Sequence, residues 1–174
     1  MPSIASNSSL GCKRSRGFTL IEVLVALVVL SIGLLGMAKL VMVSSHANDS
    51  AYLRSQATAL AYQMTDNMRA NLAGAAVAQY DTALTATPTA PTSCVGTATQ
   101  CTNTQLAQWN VYSWKQNLLT ALPSGAGSIV TSGTSPTTAT IIVQWDDAAG
   151  QSAFGAVNTG VAANMQIVLE TVLQ

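Results

Sequence analysis

Few side chains in this sequence could do chemistry, and their spacing restricts what that chemistry can be. Charged residues make up 8% of the 174 residues, against roughly a quarter in ordinary globular chains. Glu22 is the most unusual of them, because it lies in an apolar run from Phe18 to Val43 whose only other charge is Lys39. A carboxylate in hydrocarbon costs about 2.5 to 3.5 kcal/mol at a bilayer centre and less toward the edge. Glu22 therefore either sits at a headgroup interface or meets a cation. Three thiols are present: Cys12, and the close pair Cys94 and Cys101. Bridging that pair would constrain the unfolded chain by roughly 2 to 3 kcal/mol and would fit an oxidising compartment. Two free thiols or half a zinc site is the weaker alternative, since zinc needs further Cys or His ligands. His46 is the one histidine, and it reads as a solvated residue. Asp146 and Asp147, before Ala148-Ala149-Gly150, read as a solvated turn in preference to a calcium site. The sequence contains no Gly-rich phosphate loop, nucleophile elbow or metal-spaced cluster. The expectation is a protein that is not an enzyme and takes no cofactor or metal.

The elements that must hold these residues begin with a leader, Met1 to Gly17, of Ser, Asn and basic residues (Lys13, Arg14, Arg16) without apolar periodicity. Ser9-Leu10-Gly11-Cys12 looks like a lipoprotein cleavage site, but its apolar segment follows where it should precede. The run from Phe18 to Val43 is long enough to cross a bilayer core of about 30 Å. The basic leader places its N-terminal side in the cytoplasm. A secretory signal peptide cut near Ser45-His46-Ala47 competes with this reading, yet the apolar stretch is about twice a normal h-region and an acid interrupts its start.

Helical spacing continues past the apolar run. Leu53, Ala57, Leu60, Ala61, Met64, Met68 and Leu72 recur at steps of three and four, no proline occurs from Phe18 to Leu72, and Gly74 is a stop. At 1.5 Å per residue, Phe18 to Leu72 would make a rod of about 80 Å, most of it beyond the bilayer. Ala75 to Thr102, rich in Ala and Thr with Pro88 and Pro91, reads as a loop region pinned by the cysteine pair. A second helix is expected from Thr104 to Leu122, carrying Trp114, Leu118 and Leu122 on one face, and Pro123-Ser124-Gly125 ends it. The period then becomes two. Ile141, Val143 and Trp145 line one face of a strand; Met165, Ile167, Leu169, Thr171 and Leu173 line another; Ser128 to Ser132 is a weaker third. The fold class is α+β, an antiparallel sheet covered by the polar-faced half of a long helix. Four parts follow: 1–17 leader, 18–43 membrane and assembly half, 44–74 amphipathic half, and 75–174 globular head.

Gly17-Phe18-Thr19-Leu20-Ile21-Glu22 before an unbroken aliphatic segment resembles the class III signal of type IV pilins. Within that superfamily the chain is most similar to the PilV minor pilins. The shared positions are Met64 to Asn71, the cysteine pair, Trp114, the turn Leu122 to Gly127, and Ile141 to Asp146. The resemblance implies a type IV pilin fold, removal of the leader between Gly17 and Phe18 by prepilin peptidase, and N-methylation of Phe18. It also implies an assembly contact in which Glu22 meets the freed Phe18 amine. Partners implied are other minor and major pilins, the inner membrane and the pilus assembly platform. The chain would then reside in the inner membrane, with its C-terminus periplasmic, before entering an extracellular fibre. Its role would be priming and joining the fibre, supporting twitching and attachment. A type II secretion pseudopilin and a tip adhesin or DNA-uptake pilin are the alternatives. Once cut, the chain keeps Lys39, Arg54, Arg69 and Lys115 against seven acids, net minus three, so no nucleic-acid partner is expected. At mature position 22, where many major pilins have proline, this sequence has Lys39, leaving Gly33 and Gly36 to permit unwinding.

Overall fold

A computed structural model describes residues 17–96, 100–133, 137–148, 150 and 164–173. Cys12 and the basic leader residues Lys13, Arg14 and Arg16 fall outside them. The chain divides into two units, Met1–Val41 and Met42–Gln174.

Helix α1 spans Leu20–Ala70. In the first unit its residues are apolar on every side, and the large side chains from Phe18 to Val41 are 49% to 83% exposed. A helix that is hydrophobic all round needs apolar surroundings. Among the described residues this is the one helix long and apolar enough to cross a membrane.

In the second unit α1 becomes one-sided. Ala57, Ala61, Met64 and Met68 are buried, with Leu53 and Leu60 packed at the rim. The expected face continues to Leu72, but α1 stops at Ala70. Asn71 leaves helical geometry (φ −135°, ψ 59°) and caps a single further turn, α2, Leu72–Ala75, whose Leu72 is 39% exposed. Thr65, polar and absent from the apolar pattern, is also buried. Its hydroxyl donates to the Ala61 carbonyl at 3.1 Å, which satisfies it locally.

Helix α3, Asn103–Ala121, starts on a capping box. The Gln105 amide donates to Thr102 Oγ1 and the Thr102 amide to Gln105 Oε1. It buries Ala107, Val111, Trp114, Lys115 and Leu118. Strands β1 (Ala126–Ser132), β2 (Thr137–Asp146) and β3 (Asn164–Leu173) form an antiparallel sheet in the order β1-β2-β3, with Ile129 opposite Ile141 and Ile141 opposite Leu169. Alternation is as expected: Ile141, Val143 and Trp145 are buried, and the odd-numbered residues of β3 from Met165 to Leu173 face inward. Strand β1 begins two residues earlier than its polarity suggests, at Ala126.

One core joins the inner faces of α1, α3 and the sheet. Gly127 makes the α3–β1 approach possible. A Cβ there would run into the Trp114 ring and would lie 2.7 Å from Leu118 Cδ1. Gly125 is equally tight, against the Leu118 carbonyl. The turn closing α3 therefore has a packing reason for two of its small residues.

Candidate functional site

The N-terminal candidates stand together at the start of α1. Gly17 and Phe18 precede the helix and are exposed. Thr19 caps it: the Glu22 amide donates to Thr19 Oγ1 at 3.3 Å and to the Thr19 carbonyl at 3.1 Å. Of the first-turn amides that a helix start leaves without partners, the Thr19 side chain accepts from that of Glu22. The signal was present as Thr-x-x-Glu, the opening half of a capping box, and the reading above missed it.

Nothing lies within 4 Å of where a Cβ on Gly17 would be, and its φ is not in the left-handed region. Neither conformation nor packing among the described residues asks for glycine there. The Glu22 side chain is exposed in the first turn, where the positive end of the helix dipole favours an acid. No cation reaches it among the described residues, since the one ion pair found there is the exposed Arg69–Asp66 contact at 3.7 Å.

In the second unit Cys94 and Cys101 are joined in a disulfide, with Cα atoms 5.8 Å apart. Cys101 directly precedes the Thr102 cap, so the bridge ties the loop to the start of α3. It is not the loop's only anchor. Thr82 exchanges two 3.0 Å backbone hydrogen bonds with Ile129, and the Asp81 carboxylate accepts from the Thr131 amide and hydroxyl at 2.9 and 2.8 Å. Tyr80, fully buried, donates from its hydroxyl to the Asn67 carbonyl and accepts from Asn71 and Asn110.

Lys115 is the anchor that sequence patterning missed. It is 5% exposed, and its Nζ donates to the carbonyls of Ala83 and Ala86 at 2.6 Å each. Burial lowers its pKa from the usual 10.5. Lys115 also lines a cavity of about 280 Å³ between the 84–88 loop, α3 and the start of β1. Its backbone partners show it to be a brace for the loop. No group of three potential metal-ligating side chains occurs among the described residues.

Asp147 corrects the solvated-turn reading. It is 5% exposed and accepts a short hydrogen bond from Ser50 Oγ on α1. A Cβ on Gly150 would strike this carboxylate. The residue ties the end of β2 back to the helix, while Asp146 accepts from the Ala148 amide at 3.0 Å and holds the turn.

Residues 12–38 match the family described as a prokaryotic N-terminal methylation motif, and residues 40–112 match the family described as type IV pilin Tt1218. One residue separates the two matches, the first covering most of the apolar run and the second running from its last turns into α3. No curated protein and no solved structure matches the chain.

Proposed function

Since this chain belongs to the type IV pilin superfamily, anchored in the inner membrane before assembly into an extracellular pilus, we propose that it is a minor pilin. In this reading it primes assembly with other minor pilins, enters the fibre in low copy, and thereby supports twitching motility and attachment. The observation that carries it over a secretion pseudopilus is the set of Trp114, the Leu122–Pro123 turn and Trp145, while the pilin family itself rests on the Gly17-to-Glu22 signal and the exposed apolar helix. Such a helix suits two successive apolar surroundings, lipid and then the helices of other subunits. The head folds around its own core, which leaves the anchor free to exchange one for the other.

Prepilin peptidase processes chains with this motif. The cut falls between Gly17 and Phe18, and the new Phe18 amine is methylated. Gly17 serves the peptidase, whose catalytic groups must approach the backbone there without meeting a side chain. Glu22 then neutralises the Phe18 amine, of its own chain or of a neighbour, removing two charges from an apolar interior that would penalise either alone. The resemblance to PilV minor pilins rests on Met64 to Asn71, the cysteine pair, Trp114, the Leu122-to-Gly127 turn and Ile141 to Asp146. Of these, Trp114, the Leu122–Pro123 turn and Trp145 favour a pilus over a secretion pseudopilus, whose N-terminal motif is the same.

Deletion with separate assays of surface fibres and type II secretion tests the reading. Loss of pili with normal secretion is expected. Normal pili with lost secretion would transfer the chain to a secretion pseudopilus.

A further inference from the structure

Lys115 is the one buried cation among the described residues, and no carboxylate there meets it. A buried charge is costly unless something compensates it. The ammonium has three hydrogens to donate. Two go to the carbonyls of Ala83 and Ala86, and no acceptor among the described residues takes the third. Backbone carbonyls offer dipoles without a net negative charge, so an anion is what this corner of the head still lacks.

The space beside it has the opposite character. The cavity of about 280 Å³ is lined by Lys115 and by one of its two acceptors, Ala86. The rest of its wall is mostly apolar, with Leu84, Pro88, Leu118 and Leu119 among it. Leu118 is buried whereas Leu119 is 59% exposed, so the cavity runs from the core out to solvent. An apolar cavity of about 150 Å³ is enough to hold a benzene ring, and this one has room for a body of that size with a polar head. A mostly apolar hollow with a single charged group to orient the occupant is the usual make-up of a small-molecule site.

We propose that the cavity binds a monocarboxylate with a short apolar body, of the size of hexanoate or benzoate, whose carboxylate accepts the third Lys115 hydrogen. The acid brings the missing negative charge, and its carbon body fills the apolar space. A neutral alcohol of the same length gains only the second, and an amine sets one cation against another. Bound between the 84–88 loop and α3, the ligand fastens the loop that Lys115 braces. The site lies wholly in the head, so it stands or falls independently of the minor-pilin reading.

The test uses the full-length chain in lipid nanodiscs at neutral pH, dialysed to equilibrium against hexanoate, hexanol or hexylamine, with empty nanodiscs as the blank. Hexanoate should bind saturably at one site per chain, about tenfold or more tighter than hexanol, the scale of one hydrogen bond to a charged group. Hexylamine should not bind above the blank. With isotope-labelled leucine methyl groups, bound hexanoate should show nuclear Overhauser contacts to Leu118 and Leu119. Lys115→Met should bind hexanoate no better than hexanol. Hexanoate bound no tighter than hexanol by the wild-type chain, contacts to other leucines only, or undiminished hexanoate binding in Lys115→Met overturns the proposal. The wild-type comparison and the Overhauser contacts decide it even where Lys115→Met fails to fold.

Discussion

Two single residues carry the charges that matter most, one exposed and one buried. In the proposed function Glu22 neutralises the amine that cleavage would create at Phe18. Glu22→Ala should leave leader cleavage near normal and reduce the chain's recovery in sheared fibres, as quantified by immunoblot; undiminished recovery would remove the assembly role. Lys115 instead meets two carbonyls and, among the described residues, no anion. Burial lowers its pKa from 10.5, so the unfolded chain holds this proton more tightly than the folded one. Its contribution to stability therefore rises with pH in the window just below 10.5. Lys115→Met should flatten that rise: the gap in urea midpoint between wild type and variant should widen from about pH 8 to pH 10. A gap independent of pH would mean that Lys115 is solvated.

Among the elements, the α3–β1 contact is the most exacting. Gly127→Ala forces a methyl into the Trp114 ring and Leu118, and the two elements must part to admit it. Destabilisation of about 1 to 3 kcal/mol is expected by chemical denaturation, the usual cost of overpacking. An unchanged midpoint would show that Trp114 moves freely. Replacing Cys94 by Ser should cost roughly 2 to 3 kcal/mol in the loop-entropy account. A smaller loss would mean that the Thr82–Ile129 bridge and the Lys115 brace hold the loop without the bond. These elements were legible in the sequence to different depths. Apolar spacing located α1, α3 and all three strands because burial sets the period, and both the Ile141 face and the β3 face came out in the expected register. Polar residues that turn inward carry no periodic mark. Asn71, Lys115 and Asp147 are buried through partners 9 to 97 positions away in the chain, and distant partners cannot be read from local spacing; Thr65 is satisfied within its own helix. The end of α1 was missed by two residues for the same reason, because Asn71 takes its partners from Tyr80 and Asn103.

At the scale of the whole molecule, the division into Met1–Val41 and Met42–Gln174 matches a division of labour. The second unit satisfies its apolar groups internally. The first leaves its own uncovered and so depends on what surrounds it. The N-terminal motif and the apolar helix were legible because both are written in contiguous local sequence. The head's polar braces were not, because only folding assembles them. The central claim is that this chain is cut, methylated and built into a fibre. Mass spectrometry of sheared, purified pili tests it most directly. The account predicts a peptide beginning at N-methylated Phe18, present in low proportion to the major subunit. Absence of the chain from the fibres, or recovery only of peptides that extend N-terminal to Phe18, would contradict it.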